Sequence, residues 1–106
     1  MKCLSIQLQP EKDTSHSAEA FIELSRLLDR YPEIEKGEDN GGYVNLNYFT
    51  EDLISLWGQL KTGIFENPSL GEWARKVAIV VAKGDSGWDD YLLLYHYDPS
   101  EKLDRL

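Results

Sequence analysis

A single cysteine, Cys3, stands in the whole chain, so no disulfide can close within it and no cysteine-based metal cluster can assemble. Histidine is almost as scarce. His16 and His96 are the two side chains that could act as a general base near neutral pH. Basic residues are outnumbered too, with 11 Lys and Arg against 19 Asp and Glu and a net charge of -8. Phosphate backbones and anionic lipid would be repelled by such a surface, so direct nucleic-acid or membrane binding is not expected. A basic protein partner would be attracted. No apolar run approaches the length of a membrane-spanning helix. The opening residues MKCLSIQLQP alternate in polarity and do not read as a signal peptide, so the expected location is cytoplasmic. There is no internal repeat, low-complexity tract or linker, and no cofactor or metal is implied. The 106 residues are read as a single domain, long enough to bury a core.

What is there is organised around Tyr43 to Gly63. Val44, Leu46 and Tyr48 alternate with Asn45 and Asn47, as in a half-buried strand. Thr50 suits a helix N-cap, and Phe49 and Ile54 hold the positions of a hydrophobic staple. Leu53, Leu56 or Trp57, Leu60 and Ile64 recur at helical spacing, and Gly63 sits where that helix would stop. Before this stretch, Leu4, Ile6 and Leu8 face inward on a first strand that Pro10 closes, with Cys3, Ser5, Gln7 and Gln9 outward. Ser15 or Ser17 can cap a helix whose stripe runs through Ala20 or Phe21, Leu24, Leu27 or Leu28 and Tyr31, ended by Pro32. The segment Glu33 to Gly42 reads as a solvated acidic loop.

After Gly63, Ser69 to Glu72 matches a capping box for a short helix over about Leu70 to Arg75. Gly71 inside it costs about 1 kcal/mol. Val77 to Ala82 is unbroken apolar sequence, as in a strand buried on both faces, and Tyr91 to Tyr97 is its hairpin partner. Asp98 and Pro99 signal a short C-terminal helix held by Leu103 and Leu106. The expected fold is α+β: a two-layer sandwich with a four-stranded mixed sheet, helices mainly on one face, in the order β-α-β-α-(α)-β-β-(α). The first two strands are expected to join by a right-handed parallel crossover. The apolar hairpin strands require cover on their second face, from short helices or a partner chain.

Several groups are candidates for function. Ser5, Gln7, Asn45 and Asn47, with Cys3, form a neutral polar sheet face if the first two strands are neighbours, able to hydrogen-bond a partner at little desolvation cost. Asp85, Trp88, Asp89 and Asp90 place carboxylates and an aromatic at the last hairpin. The spacing is not that of an EF-hand, and exposed Trp beside acids is what protein-binding hot spots use. GDSG at 84–87 also surrounds the nucleophile of trypsin-like proteases, but no His and Asp constellation accompanies it, so the serine is a turn residue. Nothing in the spacing joins Cys3 to His16 or His96 as a nucleophile and base. Tyr91, Tyr95 and Tyr97 alternate as sheet-packing residues.

Carboxylates also gather at Glu33, Glu35, Glu38 and Asp39. Clustered on loops, they create a potential that steers a basic partner. The stretch Tyr48 to Trp73, with LxxLWxxL at Leu53 to Leu60 followed by Pro68 and Trp73, resembles the central part of the barstar family, acidic inhibitors of a basic ribonuclease. It covers about a quarter of the chain. The inhibitory aspartates of that family fall at Ile54 and Gly58 here, so the resemblance does not carry that chemistry over.

The sequence therefore points to a small acidic protein-interaction module rather than an enzyme. The expected type is an inhibitor, immunity or antitoxin-like protein bound to a basic protein such as a nuclease toxin, with Glu33 to Asp39 and Asp85 to Asp90 carrying the contact. The alternatives are a structural protein that self-associates as a homodimer through its hairpin strands, and a small enzyme using His96 or Cys3.

Overall fold

Alternation in the first strand does what its period dictates. Leu4, Ile6 and Leu8 are fully buried, while Ser5 and Gln7 on the opposite side are half-buried. The computed structural model describes residues 1–38, 42–84 and 87–106, and of 84 and 87–90 the backbone alone. The order is β1 (Lys2–Leu8), α1 (Ala18–Leu27), β2 (Glu33–Gly37), β3 (Tyr43–Thr50), α2 (Leu53–Leu60), α3 (Leu70–Val77), β4 (Ala78–Gly84) and β5 (Gly87–His96). The strands form one sheet in the order β2-β3-β1-β4-β5, and every neighbouring pair is antiparallel.

The architecture is α+β, but the sheet has five strands, not four, and it is not mixed. The extra strand is the segment expected to be an acidic loop. Glu33 to Gly37 pairs with β3 across a hairpin, and its charges sit at the sheet's edge, where they discourage pairing with other chains. The expected parallel crossover between the first two strands is corrected in the same way. β1 and β3 lie side by side antiparallel, because the β2–β3 hairpin reverses the chain before β3 inserts next to β1.

Helix α1 starts at Ser17, whose hydroxyl accepts from the Ala20 N–H at 3.3 Å. It ends before the expected Tyr31, in a Schellman motif. Asp29 takes a left-handed conformation (φ 63°), its N–H donates to the Arg26 carbonyl at 2.9 Å, and the Arg30 N–H donates to the Ser25 carbonyl at 2.9 Å. Leu27 and Tyr31 are consequently exposed. The cap of α2 is Asp52, which accepts from the Ser55 N–H at 3.0 Å. Thr50, two residues earlier, instead accepts from the Asp52 N–H, and the supposed staple residues Phe49 and Ile54 are both exposed.

Nor does the helix stop at Gly63. It widens into a π-helical turn over Lys61–Phe65 that carries Ile64 and Phe65 into the core. At α3 the cap comes from Asn67, whose side-chain oxygen accepts from the N–H groups of Ser69 and Leu70 at 3.0 Å each, and not from Ser69. Gly71 is there because α3 meets that π turn closely: a Cβ would strike the carbonyls of Phe65 and Ile64.

One hydrophobic cluster joins Leu4, Ile6, Leu46, Tyr48 and Val80 of the sheet to Phe21, Leu56, Leu60, Trp73 and Val77 of the helices. Trp73, 1% exposed, donates its indole N–H to the Asp13 carbonyl at 2.6 Å. No helix among the described residues is long and apolar enough to cross a membrane. The C-terminal helix expected from Asp98 does not form. Residues 98–106 run as turns and extended chain, tied to β5 through Asp104.

Candidate functional site

The sheet surface turned away from the core cluster carries the candidate site. Registers across the strands set its rows. Glu33, Asn47, Ser5, Val81 and Leu93 lie in one row, and Glu35, Asn45, Gln7, Ile79 and His96 in the next. A further row holds Phe49, Cys3, Lys83 and Tyr91. The first two rows thus pass from acidic and polar residues on the β2 side to Val81 and Ile79 on β4. The first continues to Leu93 and the second ends at His96, while the third carries Lys83 on β4.

On the polar side lies a depression of about 320 Å³, lined by Ser5, Gln7, Glu35, Asn45 and Asn47 with Ile79 and Val81. A chain of hydrogen bonds orders its floor. The Ser5 hydroxyl donates to Asn47 Oδ1, and Asn47 Nδ2 donates to Glu35 Oε1 at 2.5 Å. Gln9 Nε2 donates to Gln7 Oε1 at 2.9 Å. Ionised Glu35 strengthens its bond, since charge-assisted bonds are the stronger kind. The apolar side holds a second depression of about 450 Å³, lined by Ile79, Val81, Tyr91, Leu93, His96 and Glu101. Ile79 and Val81 wall both depressions, so the two are one continuous surface.

The structure brings together two groups that the sequence kept apart. Ser5, Gln7, Asn45 and Asn47 form the expected polar face, and Glu33 and Glu35 join it as strand residues rather than as a loop. Glu38 is exposed just beyond β2, while Asp39 and Asp85 lie outside the described residues. Trp88, Asp89 and Asp90 are strand residues of β5 and not a hairpin tip, and their side chains lie outside the described residues. The apolar residues Ile79, Val81 and Leu93 escaped sequence reasoning. They stand in runs with no polar residue between inward and outward positions, which hides the period of two. They are half-buried, and among the described residues the depression over them is otherwise lined by Tyr91, His96 and Glu101.

The candidate catalytic groups are not assembled. Cys3 is 8% exposed, and burial pushes its thiol up, with the Ser5 hydroxyl opposing. A thiol held in that form is a poor nucleophile. His96 pairs with Ile79 and Cys3 with Lys83, four residues apart on β4, a separation of about 13 Å along the strand. His96 Nδ1 accepts from the Asp98 N–H at 3.0 Å. His16 lies between two hydroxyls, with Nδ1 3.2 Å from Ser15 Oγ and Nε2 3.1 Å from Ser69 Oγ. The backbone N–H groups at that end of α3 are committed to Asn67, which leaves no pair of donors free for an oxyanion. The tyrosine alternation is broken by a bulge between Val80 and Val81. Tyr91 faces outward, whereas Tyr95 packs inward on Phe65 and donates its hydroxyl to the Arg75 carbonyl. Among the described residues no group of three or more His, Cys, Asp or Glu converges on a metal position.

Compared with protein families, curated proteins and solved structures, the chain matches none. Ile54 and Gly58, the positions where the barstar resemblance would need carboxylates, are exposed and uncharged.

Proposed function

We propose that this chain is a protein-interaction module that binds a basic protein through the outer face of its sheet, acting as an inhibitor or immunity-type cover for a partner such as a nuclease. One observation carries the reading: Glu33 and Glu35 flank an ordered network of neutral amides and a hydroxyl that runs into a half-buried apolar strip. Interfaces of this kind combine an apolar centre with a polar, charge-complementary rim. The overall charge of -8 favours approach of a cationic partner.

The test compares three versions of the chain as bait in lysate at low and high salt: the native protein, Glu33→Lys with Glu35→Lys, and a control with Glu23→Lys and Glu66→Lys on the helical layer. A basic protein retained by native and control baits, released by salt and lost from the face variant, supports the reading. Equal retention by the face variant overturns it.

Self-association through β5 is the second reading, favoured by Tyr91, which is 56% exposed beside Leu93 on an edge strand. A monomer mass by light scattering at micromolar concentration would remove it.

A further inference from the structure

We propose that what docks on the outer face is a basic amphipathic α-helix of the partner. Its apolar stripe lies on Ile79, Val81 and Leu93, and its cationic flanks meet Glu33 and Glu35 on one side and Glu101 on the other. The inference rests on the reading of this face as a surface for a basic protein, and adds the shape and side-chain pattern of what binds.

In the two rows that begin at Glu33 and Glu35 charge is arranged in the order acid, apolar, acid, and Lys83 lies in the next row along β4. β2 supplies Glu33 and Glu35 at one margin, β4 and β5 supply the apolar strip, and the C-terminal segment supplies Glu101 beyond it. A helix with one apolar stripe between two rows of Lys or Arg is the complementary object. The dimensions agree. From β5 to β2 is four interstrand steps, about 19 Å. A helix about 10–12 Å across leaves margins that long basic side chains span while their stems lie on apolar surface. From Ile79 to Val81 along β4 is about 7 Å, which about five helical residues cover at about 1.5 Å each.

An extended segment fits less well. Laid across a sheet face it would bury its own N–H and C=O groups without partners, whereas a helix satisfies them internally. Extended segments bind at sheet edges, and here the Leu93 backbone is already bonded to Asp104 while β2 is short and charged. A second copy of this chain fits less well again. Two molecules at -8 repel, and the apolar stripes of α1, α2 and α3 are buried in their own core.

The experiment uses labelled synthetic peptides of about 18 residues, roughly five turns. One is made of Leu and Lys at helical spacing, one is a scrambled sequence of the same composition, and one has helical spacing with Glu in place of Lys. Binding by fluorescence anisotropy should be strongest for the Leu/Lys helix, weaker by at least about tenfold for the scramble and absent for the Glu peptide, with helicity appearing in circular dichroism on binding. Ile79→Thr with Val81→Thr, which keeps strand-forming residues in place, should weaken the Leu/Lys helix by at least about tenfold. Glu33→Gln with Glu35→Gln should flatten the salt dependence, and Glu23→Gln with Glu66→Gln should not. Equal binding of helix and scramble, both sensitive to Glu33 and Glu35 but not to Ile79 and Val81, overturns the helix and leaves the basic-partner reading standing. Failure of both cationic peptides to bind overturns both. A dimer mass for the protein alone overturns the helix in favour of a second copy.

Discussion

Asp104 takes both backbone hydrogen-bonding groups of Leu93: its N–H donates to the Leu93 carbonyl at 2.7 Å, and its carboxylate Oδ2 accepts from the Leu93 N–H at 2.8 Å. One residue of the C-terminal segment thereby does at this point what a sixth strand would do. β5 is an edge strand, and an edge with free N–H and C=O groups is a template for pairing with another chain. Asp104→Ala removes the acceptor for the Leu93 N–H. The Leu93 amide should then exchange with solvent at least about tenfold faster, and the protein should show more self-association at high concentration. An unchanged exchange rate at Leu93 would show that Asp104 does not guard this edge.

The end of α1 makes a second prediction. Asp29 occupies the left-handed C′ position of the Schellman motif, where a side chain costs about 1–2 kcal/mol and glycine costs little. Glycine's larger entropy in the unfolded chain returns about 0.4–1 kcal/mol of that gain. Asp29→Gly should therefore be neutral to about 1.6 kcal/mol stabilising, whereas a β-branched Asp29→Val should destabilise. Gln59 holds the same helix end, donating to the Leu28 carbonyl and accepting from Arg30 Nε, both at 2.8 Å. Urea denaturation of the two variants measures the difference, and a loss of stability in Asp29→Gly would contradict the strain argument.

These elements also show where sequence suffices. Leu4, Ile6 and Leu8 against Ser5 and Gln7 give both faces of β1, because one face is apolar and the other is not. The polar half of the outer face is legible for the same reason. β2 was not, since Glu33, Glu35 and Lys36 put charge on both sides of an edge strand and erase the period. The helix starts were readable to within a few residues. Thr50 and Asp52, or Asn67 and Ser69, are competing caps of similar chemistry, and tertiary packing decides which one turns inward. The parallel crossover failed for a topological reason: nothing local records that β3 will insert between β1 and the strand that follows α1.

Cys3 offers a chemical check on the site. With 8% exposure and a thiol held above its ordinary value of 9.0 by burial, it carries less thiolate at pH 8 than a free cysteine does. Alkylation by iodoacetamide at pH 8 should be at least about tenfold slower in the native protein than in urea. Labelling at the rate of the unfolded chain would reopen Cys3 as a nucleophile.

Tyr48 sets the last prediction, on stability against pH. It is 2% exposed, and among the described residues its hydroxyl has no hydrogen-bond partner of normal geometry. The Ser25 hydroxyl lies close enough to offset part of the cost of ionising it, but gives its own proton to the Arg30 carbonyl at 2.7 Å. Burial pushes the phenol up from the ordinary 10.0 to about 12, because the interior disfavours the phenolate. The folded state therefore holds this proton more tightly than the unfolded state does. The resulting stability is fully present below pH 10 and is lost as pH rises towards 12, amounting to about 2–3 kcal/mol. Tyr48→Phe removes an unpaired buried hydroxyl, so at pH 7 it should leave stability unchanged or raise it by about 1 kcal/mol. Because phenylalanine has no proton to lose, the variant should also keep more of its stability between pH 10 and pH 12. Urea midpoints for both proteins at pH 7 and pH 11.5 decide the matter: equal alkaline losses would mean that Tyr48 ionises as readily in the fold as outside it.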